Sequence, residues 1–142
     1  MATKFILRDC FIEVDNVDFS DHVSSVEITL TKDEIDTTNF GGDGRERQHG
    51  LKDDSFTINF QQNFAADQVD DTLYPLWDDE LEFTVTVRPT SEAKGPANPE
   101  YSGDCILLEY QPLAGQVGEL SETSVTLPSQ RVGIARDAEA DA

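Results

Sequence analysis

The sequence predicts a mostly β domain, a β-sandwich or partly open barrel with one short flanking helix. Three observations predict it. Apolar and polar residues alternate with a period of two in several separate stretches, the pattern of strands with one dry face. A single stretch, residues 69–77, changes to apolar spacings of three and four, the pattern of a short helix. The connections are mostly hairpin-length, with two long exceptions, which fits a sandwich better than an alternating α/β plan.

The elements follow in order. Cys10, Ile12 and Val14 alternate with Phe11, Glu13 and Asp15, which predicts a half-buried strand. Asp15 and Asn16 then read as a turn. Val26, Ile28 and Leu30 form the dry side of a longer strand, and Ser25, Glu27, Thr29 and Thr31 form its wet side. Ile35, Thr37 and Thr38 are expected to carry this strand onward. The pattern then stops. Asn39, Phe40, Gly41, Gly42, Asp43, Gly44, Arg45, Glu46, Arg47, Gln48, His49 and Gly50 hold four glycines and two of the six arginines. They predict a flexible excursion, and a loop that long in a small domain usually has a task. Phe40 is a large apolar group in polar company, which points to docking.

Alternation resumes with Phe56, Ile58 and Phe60 against Ser55, Thr57, Asn59 and Gln61. Val69, Leu73 and Leu76 or Trp77 give the helix one greasy stripe, suited to lie on a sheet. Asp67, Asp70 and Asp71 fall in its early turns, where the helix dipole favours them. Pro75 is expected to end or distort it. Leu81, Phe83, Val85 and Val87 make the clearest strand signal. A second long loop covers 89–101, with three prolines. Cys105 to Tyr110 reads as another strand with Ile106, Leu108 and Tyr110 in phase, a turn follows at 112–115, and Val125, Thr126 and Leu127 make a short strand closed by Pro128. About seven strands result, in one domain over 1–135. Residues 136–142 have nothing to pack and read as a mobile acidic tail.

Composition limits the function. The chain has 142 residues, a normal size for one domain. It carries 29 acidic and 10 basic residues, a net charge of -19. Such a surface repels phosphate backbones and anionic lipid, and no Lys/Arg cluster exists to bind DNA by sequence. A salt-loving host would favour the same balance. No apolar run approaches the roughly 20 residues of a membrane-spanning helix, and the opening residues are too short in apolar character for a secretory signal. The product is expected to stay where it is made unless it leaves inside a larger assembly. Cys10 and Cys105 read as quiet buried thiols, with a bridge between them left open.

The residues for chemistry are sparse. His22 and His49 lack metal-ligand spacing. The glycines at 41, 42 and 44 lack the Gly-Lys-Ser/Thr ending of a phosphate loop. Asp78, Asp79 and Glu80, or Asp15, Asp18 and Asp21, read as solvated charge rather than a calcium loop. Neither catalysis, a metal nor a cofactor is expected. Tyr74 and Trp77 would be needed for an acidic carbohydrate-binding or adhesin-like domain, but their helical spacing suits core packing.

The ordered text of the first half is more specific. Phe19-Ser20-Asp21-His22-Val23-Ser24-Ser25-Val26-Glu27-Ile28 leads into Lys32-Asp33-Glu34-Ile35-Asp36-Thr37-Thr38-Asn39-Phe40-Gly41. Gly44-Arg45-Glu46-Arg47, Gly50-Leu51-Lys52-Asp53 and Phe56-Thr57-Ile58-Asn59-Phe60-Gln61-Gln62-Asn63-Phe64 follow. This text, over residues 12–88, resembles the tail tube proteins of long, non-contractile-tailed bacteriophages. Asn63 stands where family members often have Asp. The resemblance implies a β-sandwich subunit, six of which close into a ring. Rings then stack into a hollow tube that houses the tape measure protein, meets tail terminator and baseplate or tail-tip proteins, and conducts viral DNA without reading its sequence. It implies a structural virion protein assembled in the host cytoplasm. Residues 39–50 would reach a neighbouring copy. The strands bearing Glu27, Thr29, Thr31, Thr57, Asn59 and Gln61 would be candidates for the tube wall. A tail terminator or head–tail connector of related fold is the competing expectation.

Overall fold

A computed structural model of the chain describes residues 5–139. Among these residues ten strands form three antiparallel sheets, and one helix joins two of them. β1 (Phe11–Val14) and β2 (Val17–Asp18) make the first hairpin. Asp15 and Asn16 both take positive φ, 50° and 68°, as a tight two-residue hairpin turn demands. β7 (Phe83–Arg88), β8 (Glu100–Cys105) and β10 (Ala135–Asp137) complete a five-stranded sheet in the order β10-β8-β7-β1-β2. β3 (Val23–Thr29), β6 (Ser55–Gln61) and β9 (Glu122–Pro128) form a three-stranded sheet with β6 in the middle. β4 (Lys32–Asp36) and β5 (Arg47–Lys52) pair only with each other.

The core is one cluster between the two larger sheets. Ile12, Val14, Val85 and Val87 come from one sheet, and Phe56, Ile58, Phe60, Val125 and Leu127 from the other. Each set occupies alternate positions, so the period read from sequence is the period of burial. Phe19 meets Phe60 edge to face at 5.5 Å, an arrangement the ring quadrupoles favour. α1 (Val69–Asp78) links β6 to β7 and buries Val69, Leu73 and Leu76 in the same cluster.

Several expectations are corrected. Pro75 lies inside α1, which runs on to Asp78. Leu76 completes the buried stripe, so Trp77, one residue further round, points outward beside Tyr74 at 6.2 Å between ring centroids. Its indole N–H donates to the Leu108 carbonyl at 3.1 Å. The strand expected at 105–110 lies earlier, at β8, and the buried residues are Cys105 and Leu107 rather than Ile106 and Leu108. Ile35 belongs to β4 and does not extend β3. Arg47, Gln48, His49 and Gly50 are strand, not loop. Arg136 and Asp137, expected in a mobile tail, lie in β10, where Asp137 meets Lys94 at 2.5 Å. The last expected tail residues, 140–142, lie outside the described residues. Both cysteines are free thiols. Burial pushes the Cys105 thiol up to about 12, which keeps it unreactive.

Candidate assembly surfaces

The outer face of the three-stranded sheet is built by the polar halves of three alternating strands. Register places Glu27, Thr57 and Thr126 in one row, and Ser25, Asn59 and Ser124 in the next. Gln61 stands opposite Glu122. The Asn59 side-chain amide donates to Glu122 and, at 2.8 Å, to the Ser24 hydroxyl. Thr29 donates to Glu27 at 3.3 Å. The strands' outward side chains include the carboxylates of Glu27 and Glu122 and no Lys or Arg. Both flanking strands, β3 and β9, are seven residues long and bond to β6 on one side. Among the described residues, the free side of β9 receives a backbone bond only at its end, from the Ile106 N–H to Pro128. Long unpaired edges of this kind invite another strand.

The β4–β5 arm is the second surface. Every residue of β4 is exposed, and β5 has only Gly50 half-buried. A two-stranded ribbon without a dry face is marginal alone, so ionic and turn contacts brace it. Arg47 meets Glu34 at 2.5 Å, and Arg45 meets Asp36 at 3.3 Å. Asp36 also accepts from the Thr38 N–H, and hydrogen bonding with the Thr38 side chain first, and its backbone second, lowers the carboxyl below the ordinary value. The Asn39 side chain accepts from the Gly41 N–H at 2.8 Å. Phe40 stands fully exposed at the tip. Gly50 sits where β4 and β5 slip register. A Cβ there would lie 3.0 Å from Asp33.

At the arm's root lies a group that sequence reasoning missed. Asp54 is fully buried. Its carboxylate accepts from the Thr31 N–H at 2.9 Å and the Ile134 N–H at 3.0 Å, and meets the Lys52 ammonium at 3.3 Å. Burial pushes this carboxyl up, but the two N–H groups and Lys52 outweigh it and hold it below the ordinary range. Lys52 also donates to the carbonyls of Val132 and Ile134. Gly133 passes so close, at φ 75°, that a Cβ would lie 2.6 Å from the Asp54 carboxylate. One carboxylate thus ties β3's end, the arm's return and the approach to β10. In sequence it is one more acid beside Asp53, and nothing in the pattern marks it.

Each residue expected on the tube wall has a place. Glu27 and Thr29 lie in β3, and Thr57, Asn59 and Gln61 in β6, all on the wet face. Thr31 lies past the end of β3 and serves the Asp54 lock through its backbone. Of the arm residues, Asn39, Phe40, Gly41, Gly42, Asp43, Gly44, Arg45 and Glu46 form the connection at the tip. His22 is hydrogen-bonded to Asp21 at 2.7 Å and to Asn63 at 3.2 Å. Among the described residues no three His, Cys, Asp or Glu side chains gather as a metal site. No helix among them is long and apolar enough to cross a membrane.

No protein-family model matches the sequence, and no curated protein sequence matches it. Solved structures do. The SPP1 tail tube superposes with a TM-score of 0.73 at 12% identity, over 97% of this chain and 81% of that one. The chain has the tail tube fold. The same fold extends to the sheath/tube terminator of an extracellular contractile injection system, PVC, in its extended state, with a TM-score of 0.71 at 11% identity over 96% and 99% of the two chains. It extends also to the tail of an empty gene transfer agent particle with C6 symmetry, with a TM-score of 0.61 at 14% identity over 84% and 83%. At these identities the likeness speaks for architecture: a mostly β, sandwich-type tail tube fold with one helix.

Proposed function

We propose that this chain is a structural, non-catalytic subunit of a hollow phage tail tube, of the long, non-contractile type. Copies close into rings, six to a ring, and the rings stack. The observation that carries the reading is the three-stranded sheet. It has two long unpaired edges, a dry face on the core and a wet face free of cations. Pairing β9 of one copy with β3 of the next satisfies both edges at once, and a closed ring leaves none over. The wet face then lines the lumen. Carboxylates there would let a DNA strand pass, whereas Lys or Arg would hold its phosphates. The tape measure protein would occupy the lumen before DNA does, with tail terminator and baseplate or tail-tip proteins at the two ends. The site of action is the virion tail, after assembly in the host cytoplasm, and neither cofactor nor membrane takes part.

A second reading, a terminator ring, is favoured by the match to a terminator over nearly that protein's whole length. Negative-stain electron microscopy of the purified protein separates the two. Tubes of indefinite length support the tube subunit. Rings that never stack support the terminator. Dispersed single subunits at high concentration contradict both.

A further inference from the structure

The segment ahead of β1 does not fit its surroundings. Phe5, Ile6 and Leu7 are 62%, 63% and 52% exposed, three consecutive large apolar residues left mostly in water. They belong to no strand. Beside them the sandwich is open. Val26 and Ile28 of β3 are only half-buried, and with Val87, Pro89 and Tyr101 they wall an apolar cavity of about 200 Å³. An apolar cavity of roughly 150 Å³ takes up benzene, so this one has room for an aromatic ring. Phe5, Leu7 and Cys10 of the same chain complete its lining, and Phe5 and Leu7 remain more than half exposed there.

Charge identifies what would fill it. The segment ahead of β1, residues 1–10, holds two of the ten basic residues, Lys4 and Arg8, against one of the 29 acidic ones, Asp9, a net charge of +1. The remainder of the chain therefore carries -20. An apolar, cationic segment on a strongly acidic body is attracted to another such body, and burial of its side chains would hold it there.

We propose that the segment ahead of β1 docks on a second copy of the chain, with Phe5 entering that copy's cavity between β3 and the five-stranded sheet. The contact lies on the side of β3 away from the wet face, so it adds to edge pairing rather than competing with the lumen. The inference rests on self-assembly, and deepens the tube reading by naming the seat of one intersubunit contact.

Mixed-chain disulfide trapping tests it. One chain carries Phe5→Cys and an affinity tag, the other Ile28→Cys, both with Cys10→Ser so that the native thiol at the cavity does not compete. The mixture is concentrated and oxidised with copper–phenanthroline. A tagged–untagged heterodimer joined through residues 5 and 28 is the expected product, identified by mass spectrometry of the linked peptides. Its absence, with the introduced thiols at positions 5 and 28 each shown to react with iodoacetamide in the unmixed chains while the native Cys105 stays buried, overturns the proposal. A second variant reads assembly directly. Phe5→Asp leaves an exposed position polar, so melting should match wild type, while sedimentation should show a several-fold loss of assembled material. Undiminished assembly overturns the docking and leaves the tube reading standing. Heterodimers without tubes from the wild-type chain would uphold the docking and defeat the tube.

Discussion

Asp54 shows how one side chain can hold three segments in register. Its carboxylate satisfies two backbone N–H groups, and it is paired with Lys52 inside the fold. Asp54→Asn keeps the shape but replaces one acceptor with an N–H₂ that faces donors. Leaving a buried group unsatisfied costs about 1–3 kcal/mol, so a loss of about 2 kcal/mol is expected at pH 7, measured as a shift in urea midpoint. The sign with pH follows from the lowered carboxyl. Its stabilisation is complete above the unfolded value of about 3.9 and is lost as pH falls through the lower folded value. The gap between wild type and variant should therefore close below about pH 4. A gap that persists unchanged to pH 2 would show that the charge is not what matters. This residue was illegible in the sequence because burial of a charge depends on which distant N–H groups meet it. Residue 134 lies 80 positions away. Trp77 was misplaced for a simpler reason: helical spacing admitted either Leu76 or Trp77 to the stripe, and packing chose the smaller.

Elements were legible where a strand has one dry face. β1, β3, β6, β7 and β9 all show period-two alternation, and all five set it against the core. β5 was read as loop, and β4 as a continuation of the strand before it, because neither has a dry face and so no period exists to read. At 105–108 four consecutive apolar residues offered both phases, and the backbone bond from Ile106 to Pro128 decided for Cys105 and Leu107. β10 escaped notice as three residues, Ala-Arg-Asp, with no side chain to mark them. The arm also carries a prediction. Replacing residues 38–45 by Asn-Gly shortens the tip to a tight hairpin and removes Phe40, without touching the Asp54 root or the core. Unfolding should move by less than about 0.5 kcal/mol, as for surface changes elsewhere, while sedimentation should show assembly impaired. Tubes of normal length from this variant would mean that the tip contacts nothing.

On the proposed function, the whole molecule assembles against its own charge. Copies of a -19 subunit repel one another, and that repulsion is screened over about 10 Å at 0.1 M salt and about 3 Å at 1 M. Assembly should therefore strengthen from 0.05 to 0.5 M NaCl, read as a rise in sedimenting polymer at fixed protein concentration. The reverse order would mean that ion pairs between copies, not edges and apolar contacts, dominate the interface. The sandwich, the helix and the tail tube fold were legible in the sequence. The open sheet edges were legible only as a hazard, because which strands end up at an edge is a property of topology.

In the proposed tube, β3 and β9 of successive copies pair and turn the wet face inward. A cryo-electron microscopy map of the assembled particle, at a resolution that traces strands, tests it most directly. The prediction is a continuous β-wall in which β9 of each copy lies beside β3 of the next, with Glu27, Thr57 and Glu122 facing a net-negative lumen. A wall formed by the five-stranded sheet, or a lumen lined by basic side chains, would contradict it.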